Sequence, residues 1–244
     1  MTSSERWLNA LDARHFSELT FQEVSRALRA LSATYVERRD TIHEGAALQG
    51  AGKRAAFALF YGPLHYLLVR RVVEAIDDGR RGGTLIDLGC GTGAAGAAWA
   101  DIAKPSLVIG VDIHPWALAE AAHTYREFGL RAKTVRADVA TFALPKSPLM
   151  ILASYAVNEL RDRDRSALLP RLLGRAANGD RVLVVEPLAR SAARWWTEWQ
   201  DAFVGAGGRA DEWRWRVDLP PLVAKLDRAA GLNHDQLTGR SLFI

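Results

Sequence analysis

Four glycines, Gly89, Gly91, Gly93 and Gly96, fall within eight residues directly behind the short run Leu85-Ile86-Asp87-Leu88. A backbone with so few Cβ atoms lets a ligand approach main-chain N–H groups, and the opening of a helix favours an anionic group there. Two registers can be read. Gly91-x-Gly93-x-x-Gly96 satisfies the dinucleotide spacing G-x-G-x-x-G, and Asp112 follows about 20 residues on, where an acid takes ribose hydroxyls. The other register, Asp87-x-Gly89-x-Gly91-x-Gly93, explains one residue more. An acid inside the first strand would repel a pyrophosphate, but it suits a ligand that carries ammonium and sulfonium charges beside a carboxylate.

Such residues need elements to hold them. From Gly83 onward short apolar runs alternate with helical ones: TLIDL, AAGAAWADIA, LVIGVD, WALAEAAHTYREFG, AKTVRA, LMILAS, RSALLPRLLGRA and RVLVVEP. This alternation predicts an α/β fold, a doubly wound and mostly parallel sheet covered on both faces. The first part of the chain reads differently. Over residues 20–39, Val24, Leu28, Leu31 and Tyr35 recur at helical spacing behind a Thr20 cap with Glu23 three residues on. Residues 45–54 read as a break, and a second helix is expected to begin at Pro63, tolerated in a first turn. The expected organisation is an N-terminal helical cap subdomain over residues 1–82 and a cofactor-binding domain over residues 83–244.

Composition narrows the chemistry. A chain of 244 residues, 49% of them hydrophobic, can bury a large core without staples. The single cysteine, Cys90, leaves no disulfide framework, CxxC zinc site or cysteine-ligated cluster. The six histidines are scattered, and His114 and His123 lack the spacing of a helix-borne metal pair, so no metal is expected. The start MTSSERWLNALDARHF has no apolar leader segment, and the greasy stretch 55–69 is short and interrupted by Gly62, Pro63 and His65. A soluble, cytoplasmic protein is the expectation, with no membrane partner. The formal charge of +4 is spread thinly along the chain and permits a polyanionic partner without demanding one.

The ligand that fits the second register is S-adenosylmethionine, and here the sequence resembles the class I, Rossmann-like methyltransferases. Their first motif is matched by DLGCGTG, their second by GVDIHPWAL, their third by RADVA and their fourth by LMILASYAVNEL, in the right order. The resemblance implies an S-adenosylmethionine-dependent transferase. Asp87, Gly89, Cys90, Gly91 and Gly93 would surround the methionine part, Asp112 would hold the ribose, Ile113 would pack on adenine, and Asp138 and Val139 would flank its edge. Ser154 ends the fourth strand and is counted with the cofactor site. It stands where a cysteine nucleophile would be expected, so a direct, metal-free displacement is implied, with Tyr155, Asn158 and Glu159 orienting or deprotonating the acceptor.

The acceptor is less constrained. ASYAVNEL is not the [DNS]-P-P-[YFW] signature of many enzymes that methylate exocyclic amines of bases. More loosely, ALRALSATYVERR, ASYAVNEL and VLVVEP are similar to the methyltransferase-like family of the mitochondrial small ribosomal subunit and its bacterial relatives, although that family's metal-cluster cysteines are missing. This implies ribosomal RNA or the small subunit as partner. Two alternatives stay open: a small-metabolite enzyme whose cap closes an apolar pocket around Tyr61, His65 and Trp116, and a non-catalytic assembly factor that binds the cofactor. Downstream, Trp195, Trp199 and Phe203 at helical spacing read as core. WRWRV reads as a strand burying Trp213, Trp215 and Val217, with Arg214 and Arg216 on a basic face. Arg38, Arg39, Arg70 and Arg71 are further candidates to line a basic cleft.

Overall fold

The computed structural model describes residues 1–37, 48–76, 79–188 and 195–244; Arg38, Arg39 and the side chain of Tyr35 lie outside that description. Seven strands form one sheet in the order β3-β2-β1-β4-β5-β7-β6. They are β1 (Thr84–Leu88), β2 (Leu107–Asp112), β3 (Ala132–Arg136), β4 (Leu149–Ser154), β5 (Arg181–Glu186), β6 (Arg209–Arg216) and β7 (Gln236–Phe243). The first five are parallel; β7 runs antiparallel to both β5 and β6, between which it lies. This is the doubly wound, mostly parallel sheet that the alternation of apolar runs predicts.

Period-two alternation decides which side chains reach which face. In β1, Leu85 packs toward one core while Ile86 and Leu88 pack toward the other. The first core contains side chains of α5 (Ala94–Ala103), α6 (Pro115–Glu127) and α9 (Pro221–Ala229). The second contains those of α7 (Asp162–Ala177) and α8 (Trp196–Gly205). Trp195, Trp199 and Phe203 are buried in the second core, as their spacing predicts. In β6, Trp213 and Trp215 stack at 4.8 Å and are half-buried, and Arg214 and Arg216 are exposed.

The first core continues without a gap into the helical region, through Trp7 and Leu11 of α1 (Ser3–His15), Val24 and Leu28 of α2 (Phe21–Glu37), and Leu59 to Val73. The α2 cap forms as read: Glu23 N–H donates to Thr20 Oγ1 at 3.3 Å, and Thr20 N–H donates to Glu23 Oε2 at 2.8 Å. The next helix departs from expectation. It starts at Ala51 rather than Pro63 and runs as α3 (Ala51–Ala56), a π-helical turn (Phe57–Tyr61) and α4 (Gly62–Ile76). Proline has no N–H to offer and its ring crowds the preceding turn. The wider turn before it, in which Gly62 N–H reaches Phe57 C=O, accommodates both within one continuous rod.

Candidate active site

The strand order reverses between β1 and β4. Above the carboxyl ends of β1, β2, β4 and β5 lies a cavity of about 530 Å³, in the crevice where open α/β sheets bind ligands. Its two ends are built differently.

At the first end the glycine loop turns into α5. Gly93 caps that helix with φ 73°, and a Cβ there would stand 2.9 Å from Ala121 Cα and 3.0 Å from the Tyr125 ring. Backbone hand and packing therefore both require glycine. Gly91 has φ 50°, lines the cavity and has nothing within 4 Å of where a Cβ would sit, so its bare backbone faces the ligand side. Asp112, at the end of β2, accepts from Gly91 N–H at 2.9 Å and from His114 N–H at 2.8 Å, tying the loop to the turn into α6. Ile113, Asp138 and Val139 line the same end; Ile113 is exposed, and Asp138 Oδ1 accepts from Ala140 N–H at 2.7 Å.

Asp87 and Cys90 sit at different depths beneath this loop. Asp87 is absent from the cavity lining: its side chain is 1% exposed beneath the loop and accepts from Tyr125 Oη–H at 2.8 Å. Burial pushes its carboxyl up to about 7, the Tyr125 and Gly96 hydrogen bonds pull it back, and the charge of Asp112 raises it further. Its role in the geometry is to set the loop from below. Cys90 lines the cavity, but burial pushes its thiol well up and the group stays a neutral, inert packing atom. The N–H groups of Gly89 and Cys90 both donate to Val111 C=O, at 2.8 and 3.0 Å.

The other end gathers side chains from distant segments. Ser154, the last residue of β4, and Tyr155, Asn158 and Glu159 just after it all line the cavity. Tyr155 adopts φ 56°, a backbone conformation that costs a non-glycine residue energy and marks a position held for a purpose. It turns the ring onto His65 of α4, stacked at 4.0 Å with 13° between the planes. Burial pushes His65 down to about 4, so the imidazole is neutral. Burial and the neighbouring Glu186 hold the Tyr155 hydroxyl well above its ordinary value, so it keeps its proton and can donate. Tyr61 and Trp116 line the cavity too, as the small-acceptor alternative requires.

Two lining residues escaped the sequence reading. Glu186 closes β5, is 1% exposed, and accepts from Asn158 N–H at 3.0 Å through Oε1, while its Oε2 has no hydrogen-bond partner. Burial pushes this carboxyl up to about 8; the Asn158 and Val157 N–H groups and Arg240 oppose the rise and Glu159 adds to it. Ser154 Oγ is likewise buried without a partner. Both atoms belong to residues that line the cavity. His234, in the loop before β7, is the second missed residue.

The basic cleft is only partly assembled. Arg70 is turned to Asp101 at 2.7 Å and Glu74 at 3.0 Å, and neither it nor Arg71 lines the cavity, because the ion pairs hold Arg70 against α5. Arg214 and Arg216 pair in register with Thr238 and Gln236, which do line it. Among the described residues no group of three His, Cys, Asp or Glu side chains could hold a metal ion, and no helix is long and apolar enough to cross a membrane.

Residues 85–179, from β1 to the end of α7, match the family model described as a methyltransferase domain. The match covers less than half of the chain and marks that stretch as similar to a methyltransferase domain. Solved structures agree in fold. A magnesium protoporphyrin IX methyltransferase from Synechocystis PCC 6803, determined with S-adenosylmethionine bound, is 15% identical; the match covers 92% of this chain and 97% of that one, with a TM-score of 0.50. The small RNA methyltransferase HEN1 is 16% identical, with 75% of this chain and 26% of that chain covered and a TM-score of 0.50. No curated protein matches the sequence. These matches do not show the likeness to the mitochondrial small-subunit family. The family match spans the glycine loop and strands β1 to β4.

Proposed function

We propose that the protein transfers a methyl group from S-adenosylmethionine to a small acceptor enclosed at the aromatic end of the cavity. The observation that carries this reading is the cavity itself: one continuous space joins the open backbone at Gly91 and the Asp112 carboxylate to Tyr61, His65, Trp116 and Tyr155. The cofactor fits the first end. Gly91 leaves room beside the backbone, Asp112 offers a carboxylate to a ribose diol, Ile113 and Val139 offer apolar surface to a purine, and Asp138 lies at its edge. When bound, the cofactor supplies an already activated methyl group. The protein's work is then to hold the acceptor in line and keep water out. Residues 1–82 act as the cap, supplying Phe57, Tyr61, Leu64 and His65 to the cavity wall. Tyr155, held in its strained conformation, and Asn158, fixed through its backbone to Glu186, position the acceptor.

A second reading, methylation of RNA with one base inserted into the cavity, is favoured by the exposed Arg214 and Arg216 beside its Gln236 and Thr238 wall. Calorimetry tests the shared part of both readings. S-adenosylmethionine and S-adenosylhomocysteine should bind and NAD should not. Asp112→Ala should lower cofactor affinity at least about tenfold, since hydrogen bonds to a charged group contribute about 1.5–3 kcal/mol. Tight NAD binding, or an unchanged affinity in Asp112→Ala, would overturn the assignment.

A further inference from the structure

Two side chains from the end of α9 and the loop after it meet at the cavity and have no place in the reading above. Asp227 is 5% exposed, and both its oxygens serve one residue: Oδ2 accepts from His234 N–H at 3.0 Å and Oδ1 from His234 Nδ1–H at 2.6 Å. A bond at Nδ1 fixes the tautomer whose lone pair is on Nε2. His234 lines the cavity with its side chain 37% exposed, and its ring stands edge-on to Phe60 at 5.4 Å. A carboxylate behind Nδ1 and an accessible ring nitrogen in front form the pairing that turns an imidazole into a proton acceptor.

The topology puts that imidazole at the right edge of the sheet. Because β7 runs antiparallel to β5, the loop before it arrives at the carboxyl ends of β4 and β5, where Ser154, Tyr155 and Glu186 also stand. The competing carboxylate, Glu186, is sealed at 1% exposure, whereas His234 is open to an incoming molecule. The same cavity is lined by aromatic side chains, Phe57, Tyr61 and the stacked pair His65 and Tyr155.

Resting on the methyltransferase reading of this cavity, we propose that His234 is the general base of the transfer, oriented by Asp227, and that the acceptor is a planar molecule with an acidic O–H. The acceptor's oxygen forms its bond to the methyl carbon as the methyl–sulfur bond breaks, the electron pair of that bond stays on sulfur, and the acceptor's proton passes to His234 Nε2. Asp227 stabilises the imidazolium that results.

The test measures S-adenosylhomocysteine binding by calorimetry, and turnover of S-adenosylmethionine with phenol, catechol and para-nitrophenol as probes. Wild type, His234→Ala, Asp227→Asn and Glu186→Gln should all bind S-adenosylhomocysteine alike, and wild type should O-methylate at least one probe. In His234→Ala, kcat should fall about a hundredfold or more with KM little changed, and in Asp227→Asn by a smaller factor. Added imidazole should restore His234→Ala in proportion to its concentration, a rescue that a purely structural histidine would not show, and the loss should be smallest for para-nitrophenol, the most acidic probe. Unchanged kcat or no imidazole rescue in His234→Ala removes His234 as the base. A loss confined to Glu186→Gln moves the base to that carboxylate. Methylation of none of the probes while S-adenosylhomocysteine still binds overturns the acceptor class, and failure of wild type to bind S-adenosylhomocysteine overturns the cofactor reading beneath it.

Discussion

The two ends of the cavity solve the problem of making a site in opposite ways. The cofactor end is made from one short stretch of chain, Gly89 to Gly93, supported by the ends of two neighbouring strands. Its shape is set from beneath by Tyr125, whose ring and hydroxyl fill the space left by Gly93, Gly96 and Gly110. The acceptor end is made from side chains of six separate segments: the π turn, the start of α4, the start of α6, the turn after β4, the end of β5 and the loop before β7. A loop of main-chain groups needs exact packing and tolerates almost no added atoms. A wall of side chains needs the whole fold to be in place, yet can change one residue at a time.

The sharpest way to break this contrast is to add one methyl group to the rigid end. Gly93→Ala must place a Cβ against the backbone of α6 in a left-handed conformation, so strain and overpacking combine. The expected loss is about 2–5 kcal/mol of folding stability, with cofactor binding lost as well. Denaturant unfolding reads it, and a variant as stable as wild type would show that the loop is looser than its contacts say. At the acceptor end no single substitution should cost as much.

That difference also explains what the sequence discloses. The glycine loop, Asp112 and the alternation of strands are local patterns, so the fold and the cofactor end can be read from residue spacing alone. Glu186 shares its signature with Asp112, an acid closing an apolar strand, and RVLVVE could have been read in the same way. His234 carries no such mark, because Asp227 lies a full turn and a loop away and their meeting is decided by how α9 folds back. Asp87 shows the converse. Its position in the motif suggests a ligand contact, but its partner Tyr125 is 38 residues distant and only the packing of α6 reveals where the carboxylate points. The start of the third helix at Ala51 was hidden by the glycines at 50 and 52, which read as a break until the packing of α3 against α2 is seen.

A second comparison turns on charge. Asp87 and Glu186, one under each end, keep their protons in the folded protein up to about 7 and about 8, whereas in the unfolded chain they release them near 3.8 and 4.5. Between those limits the folded state binds more protons than the unfolded one. The stability that these groups contribute is therefore fully present in acid and is lost as pH rises toward 8. Glu186→Gln should match wild type below pH 4 and be more stable above pH 8, by on the order of 1–3 kcal/mol. Unfolding curves across pH check this, and parallel curves for the two proteins would mean that Glu186 is ionised in the fold.

The smallest effect expected is at the rim. If RNA is the acceptor, Arg214 and Arg216 together should account for about 0.7 log units of affinity per phosphate contact per log unit of salt on a single strand. Titrating small-subunit ribosomal RNA at several salt concentrations against Arg214→Ala/Arg216→Ala should then show a shallower slope in the variant. Equal slopes would remove the basic face from the site and leave the enclosed small-acceptor reading standing.

The position of β7 makes one pairing a condition of another. Strand β6 precedes it in the chain but touches the rest of the sheet only through it, so β6 belongs to the sheet only where β7 is paired with β5. The strands under the cofactor end, β1, β2 and β3, pair with one another without that unit. The β5–β7 pairing that completes the sheet therefore also holds His234 and the Gln236 to Thr238 wall at the cavity. The acceptor end depends on that one pairing, and the glycine-loop end does not.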